Sequence, residues 1–320
     1  MSSSKSLFHL LNDRSTIRLL IDLRLNYAAI SSGLVLFGFF WNELKGFDWP
    51  YMALIMSVFF ANVFGFSLND FYDAAYDSKE PIKKTRNVFC SSISNRWGKA
   101  VLITCLGLSL LLGGIVSLQI FLAIALLNIL AFFYSAPPIR LRNRLYWDWI
   151  FVFFWKGIII LSGYFYFSGT IISWDLFMLG AIAIVLFLSL ISQIINQIRD
   201  FKVDKITNTN NSVQRLDYHT TLSVKRVLLL LFYTFSFVFC HLCGLHGTML
   251  LILLNVSLYY FVNPSKHDHI IEFANIWIIT LFLEQFMAYF TYHQQMLFSS
   301  WIVVVMGIAI WYMKHINLFS

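Results

Sequence analysis

Two short segments of the sequence carry aspartates at the same spacing. The first reads Asn69-Asp70-Phe-Tyr-Asp73-Ala-Ala-Tyr-Asp77, and the second reads Asn196-Gln197-Ile-Arg-Asp200-Phe-Lys-Val-Asp204, so both contain Asn-x3-Asp-x3-Asp. On an α-helix each residue turns by about 100°, and side chains three or four positions apart share one face. Each segment is therefore predicted to present a helical face of oxygen ligands, with Gln197 taking the place of Asp70 in the second.

Carboxylates this close repel one another, and part-buried acids become protonated unless a cation lies between them. Oxygen ligands without histidine or cysteine suit Mg²⁺ better than zinc or copper, and Mg²⁺ is usually bound through one or two carboxylates plus substrate phosphates. Basic residues that could hold the other phosphate oxygens accompany both segments: Lys79, Lys83, Lys84 and Arg86; Lys202 and Lys205. The two segments thus predict a Mg²⁺ site for a substrate diphosphate, whose departure the metal and the bases would stabilise.

Long apolar runs must position these segments. A membrane-spanning helix needs about 20 mostly apolar residues, and such runs occupy 25–42, 51–70, 100–117, 118–135, 148–168, 175–197, 226–244, 246–262, 273–292 and 297–314. Because the last two runs are the weakest, the sequence predicts an all-α membrane bundle of nine or ten transmembrane helices. We expect one domain over 1–320, with the aspartate segments 69–77 and 196–204 at the exits of the second and sixth runs.

The composition excludes a water-soluble enzyme. Hydrophobic residues make up 59% of the 320-residue chain and charged residues 12%, against about half and a quarter in soluble domains. The net charge of +7 comes from Lys and Arg between apolar runs, which indicates membrane orientation and not nucleic-acid binding. These residues cluster before the first run and after the even-numbered ones. The positive-inside rule therefore predicts a multi-pass protein with both aspartate segments on the cytoplasmic side, in the cell membrane if the source is prokaryotic.

Three regions together resemble the UbiA family of intramembrane prenyltransferases. They are Asn69-Asp70-x-x-Asp73-x-x-x-Asp77, Tyr134-Ser-Ala-Pro137-Pro138-Ile-Arg140-Leu-Arg142, and Asp200-x-x-x-Asp204, which stand in the family's order and cover most of the chain. The resemblance implies a nine-helix bundle with a lipid-facing active site. Two aspartate-rich motifs there would bind Mg²⁺ and a prenyl diphosphate donor, and the prenyl group would pass to a hydrophobic or amphipathic acceptor, such as an aromatic compound or a lipid.

Residue roles follow from the spacing and from this resemblance. The candidate metal ligands are Asn69, Asp70, Asp73, Asp77, Asn196, Asp200 and Asp204, with Asp73 and Asp200 as the catalytic candidates. The candidate substrate-binding residues are Lys83, Lys84, Arg86, Tyr134, Arg140, Arg142, Lys202 and Lys205. The sequence departs from the family after the first motif, where Arg86-Asn-Val-Phe-Cys90 stands in place of an Arg-Pro-x-Pro-like stretch. The class of acceptor therefore stays open.

Two rival functions fit part of the pattern. A transporter with acidic cation sites would explain charges inside the membrane, but it does not require bases beside both acidic segments. A CDP-alcohol phosphotransferase also uses aspartate clusters, but the D-G-x-x-A-R pattern of that family is absent from the sequence.

Isolated polar residues allow further predictions. Lys156 and Glu284 are charges inside apolar runs, where a charge is costly and usually functional, so we expect one or both to line the acceptor cavity. Asp148, near the start of the fifth run, is expected to cap that helix. Cys240 and Cys243 lie in an apolar run and are interpreted as packing residues.

Overall fold

The computed structural model describes residues 24–35, 48–81, 84, 87–91, 95–168, 176–206 and 209–242. Within these ranges every regular element is helical, in agreement with the all-α prediction. The helices are α1 (Leu25–Ser32), α2 (Trp49–Asp77), α3 (Val88–Ser91), α4 (Asn95–Val116), α5 (Leu118–Ser135), α6 (Trp147–Ser168), α7 (Leu176–Arg199), α8 (Phe201–Ile206), α9 (Ser212–Leu216) and α10 (Tyr218–Leu242). Two 3-10 turns, Gly33–Val35 and Leu141–Asn143, follow α1 and α5.

In the described part of the chain, six helices are long and apolar enough to cross a membrane: α2, α4, α5, α6, α7 and α10. They match the predicted runs from 51–70 to 175–197 and the run 226–244, although α2 continues to Asp77 and α10 begins at Tyr218. The protein is therefore a multi-pass membrane protein. The run 25–42 is described only to residue 35, and the last three predicted runs lie outside the described residues.

Short polar side chains fix where two of the spanning helices begin. The Asp48 carboxylate accepts from the Tyr51 N–H at 3.1 Å at the start of α2, and the Ser117 hydroxyl accepts from the Ile120 N–H at 3.2 Å at the start of α5. Each bond satisfies an N–H that has no partner within its helix. Ser117 is also the only residue between α4 and α5, so a very short connection joins these two helices.

The chain divides into two compact units. The first contains residues 1–172 and 200–217, and in it α2 packs against α1, α4 and α5, while α6 packs against α5 and the turn after α1. Buried hydrogen bonds join its helices: the Ser57 hydroxyl donates to the Ser109 carbonyl at 2.6 Å, and the Trp155 indole N–H donates to Asn62 Oδ1 at 3.0 Å. The second unit contains residues 173–199 and 218–320, and in it α7 packs against α10.

The second aspartate segment is not one uninterrupted helix, because α7 ends at Arg199 and α8 begins at Phe201. Asp200 lies in a turn between α7 and α8, and its carbonyl accepts from the Asp204 N–H at 2.8 Å. Asp200 thus directly precedes the first residue of α8. Asn196 and Gln197 belong to the second unit, whereas Asp200 and Asp204 belong to the first.

Candidate active site

The C-terminal end of α2 carries the first aspartate motif. Asp70 and Asp73 are buried there, while Asn69 and Asp77 are half-buried. The Asn69 Nδ2 donates to Asp73 Oδ2 at 3.1 Å, as residues four apart on one helix face can. The helical face that the spacing predicts is therefore formed in this motif.

Two arginines from the connection between α5 and α6 bind this face. Arg140 Nη2 donates to Asp73 Oδ1 at 2.9 Å. Arg142 Nη1 donates to Asp73 Oδ2, and to Asn69 Oδ1 at 2.8 Å. Each carboxylate oxygen of Asp73 thus accepts from a different guanidinium. Arg140 also lies over the Tyr76 ring, with its guanidinium carbon 4.9 Å from the ring centroid, which is a cation–π geometry.

The backbone that presents these arginines is strained at one residue. Arg140 has φ 40° and ψ 64°, in the left-handed region that residues other than glycine seldom adopt. Such a conformation persists when surrounding contacts determine it, and it is common at functional sites. Here the Arg140 N–H donates to the Ala136 carbonyl at 2.9 Å, while its side chain is held between Asp73 and Tyr76.

Sequence reasoning missed two residues around Asp70 and Asp77. Arg24 Nη2 donates to Asp70 Oδ1 at 2.6 Å, and this carboxylate raises the pKa of the Arg24 guanidinium above its ordinary value. Asn87 Nδ2 donates to the Asp70 carbonyl and to Asp77 Oδ2, both at 2.8 Å. In the sequence, Arg24 stood out only as one of the basic residues before the first apolar run, and no pattern marked Asn87 as a site residue.

Hydrogen bonds attach the second motif to the start of α6. Asn211 Nδ2 donates to Asp204 Oδ2 at 2.8 Å, and both residues are buried. Next to Asn211, the Ser212 N–H donates to Asp148 Oδ2 at 3.0 Å, and the Ser212 hydroxyl donates to Asp148 Oδ1. Asp148 also accepts from the Trp149 N–H at 3.0 Å, near the start of its helix. The capping prediction therefore covers only part of what this fully buried carboxylate does, because it also anchors α9.

Electrostatic effects show that acids of both motifs lie near the same arginines. Asp70 has the largest effect on the raised pKa of Arg24, and Asp200 adds to it. Burial lowers the pKa of Arg142, and the carboxylate of Asp204 is the largest charge effect that opposes this shift. Within the first unit, the charges of Asp200 and Asp204 thus act on the guanidiniums that bind the first motif.

The other predicted site residues lie outside the hydrogen-bonded groups described above or outside the described ranges. Tyr134 is half-buried near the end of α5 and stacks on Phe151, with ring centroids 4.2 Å apart. Four of the lysines predicted to hold phosphate oxygens are exposed: Lys79, Lys84, Lys202 and Lys205. Asn196 is half-buried in α7 of the second unit and is not among the residues that the first unit brings together. Three residues lie outside the described ranges: Lys83, Arg86 and Glu284.

The donor set suits Mg²⁺ by its chemistry, because it consists of carboxylate and amide oxygens. In the ranges given above, however, no three Asp, Glu, His or Cys side chains converge as a ready metal site. The reason is visible at Asp70, Asp73 and Asp204, whose oxygens accept from arginine or asparagine. A bound Mg²⁺ would have to take over carboxylate oxygens that these groups now hold.

Comparisons with known proteins agree on one family and one fold. The model of the UbiA prenyltransferase family matches residues 32–279. The structure of a UbiA homologue from Archaeoglobus fulgidus bound to DMAPP and Mg²⁺ is similar, with a TM-score of 0.62 and 18% sequence identity, over 86% of this chain and 99% of that one. No curated protein sequence matches the chain.

Two further solved structures are similar. A UbiA homologue from Aeropyrum pernix K1 in its apo form has a TM-score of 0.59 and 14% identity, over 82% of this chain and 96% of that one. A digeranylgeranylglyceryl phosphate synthase has a TM-score of 0.57 and 16% identity, over 86% of this chain and 98% of that one. At these identities the similarity shows a shared fold.

Proposed function

Because the chain belongs to the UbiA prenyltransferase family and is therefore a membrane prenyltransferase, we propose that it uses Mg²⁺ and an allylic prenyl diphosphate. The isoprenoid chain would pass to an aromatic or lipid acceptor, and diphosphate would be released. The observation that carries this proposal is the Asp73 carboxylate held between Arg140 and Arg142, in the same unit as Asp200 and Asp204.

The donor class is supported by similar proteins. The homologue from Archaeoglobus fulgidus binds DMAPP with Mg²⁺ in one structure and GPP with Mg²⁺ in another. We assign the same class of donor to this chain because its first unit combines oxygen ligands with guanidiniums. That combination matches what a metal-bound diphosphate requires.

Arg140 and Arg142 would change partners when the donor binds. Without it, they neutralise Asp73. Guanidinium forks match phosphate oxygens as well as carboxylates, so both arginines can move to the diphosphate once Asp73 is bound to the metal. When bound, Mg²⁺ supplies electrostatic stabilisation to the leaving diphosphate. Once they contact the diphosphate, the two arginines would add to it by stabilising the negative charge that develops as the C–O bond breaks.

The second motif would complete the diphosphate site from residues 200–217, the second stretch of chain in the first unit. Asp200 and Asp204 supply further carboxylates, and Asn211 holds Asp204 in position at 2.8 Å. The basic residues around both motifs support a cytoplasmic location for this site. The prenyl chain and the acceptor would then lie toward the membrane interior, among the apolar side chains of the bundle.

The test is diphosphate release by the purified protein with DMAPP, GPP and longer prenyl diphosphates, and with a panel of aromatic and lipid acceptors. We expect release that requires Mg²⁺, stops with a chelator, and is lost in Asp73→Asn and Asp200→Asn. Asp48→Asn is the matched control, because it removes a carboxylate at the other end of α2. Absence of release from every donor, in folded protein that still binds Mg²⁺, would contradict the proposal.

A further inference from the structure

A lysine lies inside a membrane-spanning helix, away from the aspartate motifs. Lys156 is in the middle of α6, and its Nζ donates to the hydroxyl of Ser31 in α1 at 2.5 Å. Ser31 is buried. An ammonium group has three donors. Within the part of the chain that the structure describes, the bond to Ser31 uses one of them and leaves two for another ligand.

The neighbouring polar groups are occupied by other partners. Trp155, next to Lys156, donates to Asn62 at 3.0 Å, and Ser32, next to Ser31, donates to the Ala28 carbonyl at 2.7 Å. Among the residues that the structure describes, no carboxylate lies within ion-pair distance of the Lys156 ammonium. A charge without a counter-ion inside a bilayer is costly, and such residues usually serve function.

The depth of this lysine can be measured along two helices. Lys156 follows Asp148 by eight residues on α6, and Ser31 follows Arg24 by seven on α1. At a rise of about 1.5 Å per residue, these intervals correspond to about 12 Å and about 10 Å. Asp148 and Arg24 both belong to the candidate active site, so the Lys156–Ser31 pair lies about two helical turns further along these helices in the first unit.

We propose that Lys156 and Ser31 form a binding site for an anionic oxygen group, carboxylate or phosphate, on the acceptor. This inference rests on the proposed function. The diphosphate of the donor is held at the aspartate and arginine residues, and its prenyl chain is a hydrocarbon with nothing to offer an ammonium group. The acceptor is the remaining substrate, so it would carry the anionic group and be an acidic amphipathic molecule. That group would lie at the end of the acceptor opposite the atom that bonds to the prenyl chain.

The test compares acceptors with and without the anionic group. One pair is an aryl carboxylic acid and its methyl ester, and the other is a phosphate-bearing ether lipid and the corresponding neutral alcohol. KM and kcat are measured for each acceptor and for GPP, in the unmodified protein and in Lys156→Met, Lys156→Arg and Ser31→Ala. The pair in which the unmodified protein prefers the acid identifies the anionic group as carboxylate or phosphate.

We expect Lys156→Met to raise the acceptor KM at least tenfold for the preferred acid while leaving its neutral counterpart and GPP unchanged. Lys156→Arg keeps the charge and should retain most of the preference, and Ser31→Ala should give a smaller loss. These comparisons separate recognition from folding, because a misfolded variant would lose activity with the neutral acceptor as well.

Three results would overturn the inference. One is equal activity of the unmodified protein toward acid and neutral acceptors. Another is a rise in the KM of GPP in Lys156→Met, which would assign the lysine to the donor. The third is recovery of that variant by Glu284→Gln, which would identify Glu284 as its counter-ion. If the unmodified protein releases no diphosphate from GPP with any acceptor, the proposed function itself is wrong.

Discussion

The two aspartate motifs share one spacing but have different structures. The first lies in the unbroken helix α2, and its Asp73 is neutralised by Arg140 and Arg142. The second is interrupted at Asp200, and its Asp204 is held by the uncharged amide of Asn211. The same spacing therefore produces a carboxylate bound by two arginines in one place, and in the other a carboxylate that is bound by an asparagine and whose charge also acts on Arg142.

This difference separates two physical tasks. An ion pair can exchange one charged partner for another, so the first motif is suited to change its contacts when a metal-bound diphosphate arrives. Hydrogen bonds between buried neutral groups and carboxylates fix a geometry instead, and leaving one of them unmade is costly. We therefore expect substitutions in the first motif to affect mainly chemistry, and those that loosen the second to affect mainly positioning.

The largest effect is expected for Asp73→Asn. Asp73 is one of the proposed metal ligands, and its charge also holds two arginines. Removing it should lower kcat by about 100- to 1,000-fold, as for loss of a group that stabilises a transition state. Diphosphate release from GPP measures it. Asp48→Asn should keep normal activity, and an equal loss in the two variants would show that the effect is not specific to the motif.

Arg142→Ala is expected to have the next largest effect. Arg142 bonds both Asp73 and Asn69, and hydrogen bonds to charged groups contribute about 1.5–3 kcal/mol. The KM of GPP should therefore rise by about 10- to 100-fold, and Arg142→Lys should give an intermediate value because lysine lacks the planar fork. Arg144→Ala is the control, since the exposed side chain of Arg144 donates to the Ile139 carbonyl. Similar KM values for the two alanine variants would contradict the assignment.

Hydropathy predicted most of the fold because the length of an apolar run is a local property. The six described spans follow it closely. The spacing of the acids likewise identified Asp73 and Asp204 as site candidates. It did not predict the helix break at Asp200, because the helical periodicity of polar residues continues unchanged across that position.

Contacts between distant parts of the chain could not be predicted from one sequence. Arg24 and Asp70 are 46 positions apart, and Asp148 and Ser212 are 64 apart. Nothing in the local pattern pairs them, since arginine at a helix end is explained by membrane topology and aspartate at a helix start by capping. Only the packing of α1, α2 and α6 determines which partner each side chain meets.

Ser212→Ala tests the positioning role of the second region. The Ser212 hydroxyl donates to Asp148 and accepts from the Tyr146 N–H at 2.7 Å, so its loss removes a donor from the buried Asp148 carboxylate and an acceptor from that N–H. A change of about 1–2 kcal/mol corresponds to a factor of about 5–30. We expect the Mg²⁺ concentration for half-maximal activity to rise by that factor, with kcat less affected. Ser78→Ala, which removes an exposed hydroxyl just after α2, should leave it unchanged, and a fall in kcat alone would contradict this role.

The smallest effect on catalysis is expected at the end of α2 opposite the first motif. Asp48 accepts from the Tyr51 N–H at 3.1 Å and from the Tyr166 hydroxyl at 2.5 Å. Asp48→Ala removes an N-cap, which typically costs about 0.5–2 kcal/mol of stability, so thermal unfolding in detergent should begin at a lower temperature. Diphosphate release per folded molecule should not change, because this carboxylate is separated from Asp73 by nearly the whole length of the helix. Lower activity without lower thermal stability would show that the two ends of α2 are coupled, and that the distinction between chemistry and positioning does not hold along this helix.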